Sequence, residues 1–310
     1  EGKMRIALFV CLAILVLVLV GLAIYLSIGY YCYRKVLARR GGFKRKIEIK
    51  NNLELEIDDS PIKYFKEGFV KISIVSNDDL SLKGFYKDNG KNKLALLMHG
   101  YGGSHFEISR YAQLFEARGY DILAIDRRAH GESEGDFLTM GLYESYDLKA
   151  WIEKMLQIRP EYKIVLFGIS MGASSTCMAL GEKLPSSVVA AISDCGFSSA
   201  DAQLSYLFKK MHFGSCYKIF CSFVKKNKNL DIKKISAVDK LKKSQVPVLF
   251  FHGACDDFVP TRMVHLLYDS VPESRRQLCI IQGAGHTKSL ATDEKQYKKE
   301  FNKFLDKYLM

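Results

Sequence analysis

The sequence predicts an α/β fold, with a mainly parallel central sheet and helices on both of its faces. Two observations predict it. Short, almost wholly apolar runs such as Leu94–Met98, Ile122–Asp126, Tyr162–Phe167 and Val246–Phe251 have strand length and suit strands buried on both sides. They alternate with longer segments of helical character such as Leu142–Ile158, which carries the single tryptophan, Trp151. Alternation of this kind implies parallel strands joined by crossover helices. The chain of 310 residues is 48% hydrophobic, enough for one large core even after a membrane segment is set aside.

The first element stands apart. No charged residue occurs from Ile6 to Tyr33, and Ile6–Ile28 is 23 residues of mostly Leu, Val, Ile and Ala. At ~1.5 Å per residue this crosses a hydrocarbon core of ~30 Å, which predicts a single transmembrane helix. A cleaved signal would have a shorter apolar region of roughly 7–15 residues, and Ser27-Ile28-Gly29 is a poor cleavage site. Tyr25, Tyr30, Tyr31 and Tyr33 suit the far interface. Lys3 and Arg5 precede the span, whereas seven Lys/Arg follow it between Arg34 and Lys46. The positive-inside rule therefore places the globular part in the cytoplasm.

The remaining elements follow in order. Residues 1–46 read as anchor and basic juxtamembrane segment, and residues 47–67 as a polar, irregular connector with a turn at Asp58–Pro61. Residues 68–310 read as one domain. Phe69–Ser76 and Leu80–Tyr86 alternate polar and apolar residues around Asn77-Asp78-Asp79, a hairpin signal. Phe106–Arg118 and Ala173–Lys183 read as helices, and Val188–Asp194 as a strand. The connection from Asp194 to Val246 is far longer than the usual 2–6 residues. It contains helical segments at Leu204–Phe213 and Cys216–Val224 and a lysine-dense tail, and reads as a lid at about residues 195–245.

The net charge of +12 is uneven: residues 1–50 carry +8, residues 204–245 carry +9, and the rest carries −5. This distribution excludes a uniformly basic nucleic-acid binder. The lid lysines read either as a solvated face or as a surface turned toward an anionic membrane leaflet. The eight cysteines show no metal-ligand spacing; Cys216 and Cys221 could pair, but the usage favours a reducing compartment.

The chemistry centres on Gly168-Ile169-Ser170-Met171-Gly172, set between an apolar strand and a helix. A serine on such a turn projects its hydroxyl from the sheet as a nucleophile, with the helix amides, Met171 first, aimed at a developing oxyanion. Its hydroxyl needs a base, and the base a carboxylate. His286, in Gly283-Ala284-Gly285-His286 after the strand Gln277–Ile281, is the candidate base; His265 falls inside a helix. Asp256 and Asp257, after Val248–Gly253, both remain open as the acid. His99-Gly100-Tyr101-Gly102-Gly103 offers backbone donors, Tyr101 foremost.

His99-Gly100, the run Asp126-x-Arg128-x-His130-Gly131-x-Ser133-x-Gly135, Gly168-x-Ser170-x-Gly172, His252-Gly253-x-x-Asp256-x-x-Val259-Pro260 and Gly285-His286 together resemble the α/β-hydrolase superfamily. The resemblance covers roughly residues 68–308. It is nearest the lidded serine hydrolases of esterase, lipase and acyl-peptidase type, and their membrane-anchored bacterial members. It implies Ser170 as nucleophile, Asp256 as acid, His286 as base, and a helical cap. No metal or organic cofactor is implied. The expected substrate is a small or lipid-like acyl compound; a serine peptidase or a non-catalytic tethered binding protein are the alternatives. Nothing in the sequence fixes an oligomeric state.

Overall fold

The computed structural model describes residues 1–38 and 60–309. An eight-stranded sheet forms its centre: β1 (Val70–Val75), β2 (Ser81–Lys87), β3 (Lys93–Met98), β4 (Asp121–Asp126), β5 (Lys163–Ile169), β6 (Val188–Asp194), β7 (Val248–Gly253) and β8 (Arg276–Ile281). The spatial order is β1-β2-β4-β3-β5-β6-β7-β8. β1 and β2 pair antiparallel, as the hairpin signal predicts, and β2 pairs antiparallel with β4. All pairs from β4 to β8 are parallel.

The helices are α1 (Gly2–Val36), α2 (Ser60–Lys66), α3 (Ser109–Glu116), α4 (Leu142–Ile158), α5 (Met171–Ala179), α6 (Ala200–Lys210), α7 (Tyr217–Lys228), α8 (Ala237–Leu241), α9 (Arg262–Asp269), α10 (Ser289–Thr292) and α11 (Glu294–Leu309). Side chains of a strand alternate between faces, and β3 shows what covers each. Leu94, Leu96 and Met98 enter one core with Trp151 of α4 and Met178 of α5. Ala95 and Leu97 enter the other with Phe115 of α3 and Phe301 of α11. Two covered faces explain why these strands read as unbroken apolar runs.

Several boundaries differ from the sequence reading. Residues 60–66 are helical where an irregular connector was expected. Pro61 is tolerated in a first turn, whose N–H groups have no intrahelical partner. Phe65 anchors the helix, its ring centroid 4.6 Å from that of Phe69. The Asp58–Asp59 part of the turn, the connector before Ser60 and the basic residues Arg39–Lys46 lie outside the described residues. Cys216 and Cys221 are unpaired.

The connection from β6 to β7 folds into α6, α7 and α8. Ser199 and Ser236 cap α6 and α8, each accepting a backbone N–H at 3.1 Å. Phe208, Phe220 and Val224 bury their side chains in the same core as the sheet.

α1 is the one helix among the described residues long and apolar enough to cross a bilayer. It outlasts the apolar run, and its last third is docked on the domain. Tyr25 Oη donates to Ser222 Oγ of α7 at 2.8 Å. Gly29 lies so close to Phe223 that an added Cβ would stand 2.6 Å from it. Cys32, Tyr33, Leu37 and Ala38 are buried in the domain core. Beyond the helix, Leu138 N–H donates to Leu37 O at 2.7 Å, and Ala38 pairs with Phe137.

This packing separates two glycines of one helix. Gly29→Leu has to displace Phe223, whereas Gly21→Leu meets open space. Overpacking costs about 1–3 kcal/mol, so Gly29→Leu is expected to lower the thermal midpoint of the detergent-solubilised full chain by several degrees, with Gly21→Leu unchanged. Equal midpoints for the two variants would remove α1 from the folded domain.

Candidate active site

Ser170 sits between β5 and α5 with φ +55° and ψ −120°, a strained conformation for a residue with a side chain. The turn is tight enough to require its glycines. A Cβ on Gly168 would stand 2.4 Å from the Gly172 carbonyl, and one on Gly172 2.4 Å from the Met98 carbonyl oxygen. Ser170 N–H donates to Asp194 O at 2.8 Å, which ties the turn to the end of β6.

Three side chains from three separate chain segments meet above the carboxyl ends of the strands. Ser170 Oγ is 2.8 Å from His286 Nε2, and His286 Nδ1 is 2.7 Å from Asp256 Oδ2. Between an ionised carboxylate and a hydroxyl, the imidazole donates from Nδ1 and accepts at Nε2. Asp256 is saturated with donors: Oδ1 accepts the N–H groups of Phe258 at 3.0 Å and Val259 at 2.8 Å, and Oδ2 lies 3.3 Å from His252 Nε2. Burial alone would raise its pKa. The hydrogen bonds from His252 and His286 outweigh burial and hold the carboxyl well below the usual carboxylate range.

The other candidates fall elsewhere. Asp257 points to solvent and pairs with Lys210 of α6 at 2.7 Å. His265 is exposed on α9. Cys195 lies beneath the relay, its thiol pushed well up by burial and then by Asp194 and Asp256, so it packs as a neutral group.

The glycine-rich loop after β3 is braced from below by the segment after β4. Arg127 N–H donates to His99 Nε2 at 3.2 Å, which leaves the proton on Nδ1, and Nδ1–H donates to Gly100 O at 2.8 Å. Burial, then the Arg127 charge, hold His99 well below its ordinary value and hence neutral. Gly102 N–H donates to His130 Nε2 at 3.0 Å. Gly100 N–H donates to Glu107 Oε2 at 2.7 Å. A carbon placed on Gly100 would touch both Glu107 Oε2 and Ser170 Cβ, each at 3.3 Å. Burial raises the Glu107 carboxyl against the opposing pull of Gly100 N–H, Arg127 and His286. Tyr101, the candidate oxyanion donor, follows in this loop; Met171, its expected companion, is the buried first residue of α5.

A pocket of about 190 Å³ opens over these groups, lined by Gly100, Tyr101, Glu107, Ser170, Phe258, His286 and Thr287. A larger groove of about 550 Å³ runs between α3 and α11 but is remote from the serine and its partners. The sequence reading missed Glu107, which lay within an expected helix. It also missed Arg127, an intervening position of a recognised motif. No signal at the level of residue pattern marks either one, because both act on backbone groups of the glycine-rich loop.

The family profile described as "Serine aminopeptidase, S33" matches residues 90–226. The chain is 27% identical over 216 residues to the uncharacterized protein YqkD of Bacillus subtilis (strain 168), covering 68% of this chain and 70% of that one. It is 22% identical over 239 residues to the monoglyceride lipase of Rattus norvegicus, covering 65% and 78% respectively. In structure it is similar to the esterase Pf2001 of Pyrococcus furiosus, with a TM-score of 0.67 at 24% identity over 80% of this chain and 96% of that chain. The sheet order, the strained serine between strand and helix, and these matches agree on an α/β-hydrolase fold, and the family profile matched over residues 90–226 is one of serine hydrolases.

Proposed function

We propose that the chain is a membrane-anchored hydrolase of carboxylic esters or related acyl bonds, working through Ser170, His286 and Asp256. The observation that carries the reading is the continuous relay from Asp256 Oδ2 through His286 to Ser170 Oγ, with contacts of 2.7 and 2.8 Å. His286 Nε2 takes the hydroxyl proton as Ser170 attacks the carbonyl carbon, and Asp256 stabilises the imidazolium. The amides of Tyr101 and Met171 receive the negative charge. His286 returns the proton to the leaving group, an acyl-enzyme forms, and water activated by the same histidine releases the acid.

The names of the relatives support an acyl or lipid-like substrate, and Phe258 and Tyr101 give the pocket apolar walls. A serine peptidase is the second reading, favoured by the description of the family profile. A panel of p-nitrophenyl esters and aminoacyl amides separates the two. The segment 195–245 supports a cap assignment through its hold on the acid loop: Gln203 Nε2 of α6 donates to Phe258 O at 2.9 Å.

The anchor assignment is supported by where α1 becomes free of the domain. Before Tyr25 the helix has 23 residues, ~34 Å, which matches a hydrocarbon core of ~30 Å. A signal sequence removed after export would take little of the domain with it, whereas Cys32 and Tyr33 of this helix belong to the core. The flanking charges favour a cytoplasmic domain.

Ser170→Ala is expected to abolish labelling by a fluorophosphonate probe and to cut ester turnover by several orders of magnitude, with the fold retained. Unchanged turnover would overturn the mechanism. Between the aspartates, Asp256→Asn should cost far more activity than Asp257→Asn, since only Asp256 touches His286; the opposite ranking would move the acid to Asp257.

The lysines between residues 225 and 234 divide into two groups. Lys225 pairs with Asp231 at 2.8 Å, and Lys228 lies 4.9 Å from the ring centre of Tyr33. Lys226, Lys233 and Lys234 are exposed. Each basic side chain near an anionic surface contributes about 1 kcal/mol. In nanodiscs, the full chain should therefore turn over a membrane-partitioned ester faster on anionic than on neutral lipid, an advantage that salt removes and that Lys226→Gln, Lys233→Gln and Lys234→Gln together abolish. Equal rates on both lipids at low salt would leave these lysines a solvated face.

A further inference from the structure

The relay accounts for Ser170, His286 and Asp256 but leaves a buried cation unused. Arg127 is 2% exposed, beneath the glycine-rich loop. One terminal nitrogen of its guanidinium donates to Gly100 O at 2.6 Å, while Nε and the other terminal nitrogen are buried with no hydrogen-bond partner. A buried charge with most of its donors unsatisfied is costly. Its one short bond is made to a particular carbonyl. Gly100 C=O and Tyr101 N–H are the two ends of a single planar peptide unit, so whatever grips the oxygen fixes the direction of the N–H.

We propose that Arg127 is a positioning residue of the reaction, gripping the carbonyl end of the Gly100–Tyr101 peptide so that its N–H end is locked and polarised toward the oxyanion. The proposal rests on the reading of Tyr101 N–H as an oxyanion donor. Three further contacts agree with it. His99 Nδ1–H makes a second bond to the same oxygen at 2.8 Å, with its tautomer set by the backbone N–H of Arg127 itself. Glu107 holds the preceding N–H, that of Gly100, at 2.7 Å, so both peptide units flanking Gly100 are pinned. Burial draws the Arg127 guanidinium down only to about 10, which leaves it charged at neutral pH. A cation at the oxygen end withdraws electron density from the N–H end, and hydrogen bonds in series strengthen one another. Preorganised donors of this kind stabilise charge that develops only in the transition state.

The prediction is a selective loss of rate. Removing a direct oxyanion donor costs roughly 10²–10³ in kcat; an indirect support should cost less, so Arg127→Met is expected to lower kcat about 10- to 100-fold with KM within about twofold. The affinity for phenylboronic acid, which forms a tetrahedral adduct on the serine, should fall by a similar factor. Arg127→Gln keeps a donor without the charge, and Arg127→Lys keeps both, so activity should rise in the order Met, Gln, Lys, wild type. The full chain in detergent is used throughout. An unchanged kcat in Arg127→Met overturns the proposal, as does a fall in kcat and thermal midpoint with boronate affinity intact. If Arg127→Met does not fold, the Gln and Lys variants decide: rates equal to one another and to wild type overturn the proposal, and the stated order supports it. A wild-type chain that neither turns over esters nor labels with fluorophosphonate would instead overturn the hydrolytic assignment of Ser170 on which this rests.

Discussion

One backbone conformation governs the rest of the site. With φ at +55°, Ser170 occupies a region that residues with side chains enter at a cost of about 1–3 kcal/mol. The conformation persists because the surroundings leave no other path. Gly168 packs against the Gly172 carbonyl, Gly172 against the Met98 carbonyl, and the Ser170 amide is fastened to β6. Three adjacent parallel strands, β3, β5 and β6, thus converge on one residue. The parallel sheet is what brings the loops after β3, β5, β7 and β8 to the same edge, where His99–Gly103, Ser170, Asp256 and His286 meet.

The parts that were legible in the sequence are those with strong local physics. Buried strands announce themselves by unbroken apolar runs, and the turn at Ser170 by glycines that close packing demands. The relay was readable because it uses residue types with few other reasons to stand in glycine-rich loops after strands. The choice between Asp256 and Asp257 was not readable from residue type alone. Geometry decides which of the two touches His286: two backbone amides after Asp256 draw its carboxylate inward, while Lys210 draws that of Asp257 outward.

Other features were hidden for identifiable reasons. α5 begins at Met171, immediately after the serine, because the turn passes directly into the helix; it ends at Ala179 rather than at the expected Lys183, and the chain turns at Leu180–Gly181, where Gly181 packs closely on Lys240. The segment 105–118 opens as a 3₁₀ turn that delivers Glu107 back to the loop, a geometry that apolar periodicity does not encode. The roles of Arg127 and His130 toward the glycine-rich loop depend on contacts to backbone atoms, which leave no trace in side-chain pattern. The buried end of α1 was missed because hydropathy sees only an apolar run and cannot distinguish lipid from protein as its partner.

That last point changes what kind of object α1 is. Tyr101, which lines the pocket with Ser170 and His286, donates its hydroxyl to Val36 O at the foot of the helix at 2.8 Å. The helix runs without a break from Gly2 to Val36. A membrane segment joined by a slack linker would let a domain tumble and present any face to the lipid. A continuous helix wedged into the domain acts as a mast instead. In a bilayer it would fix both the height of the pocket above the headgroups and the compass direction of its mouth relative to the membrane normal. Diffusion in the plane would then be the only search left to such an enzyme, with the same side always turned down.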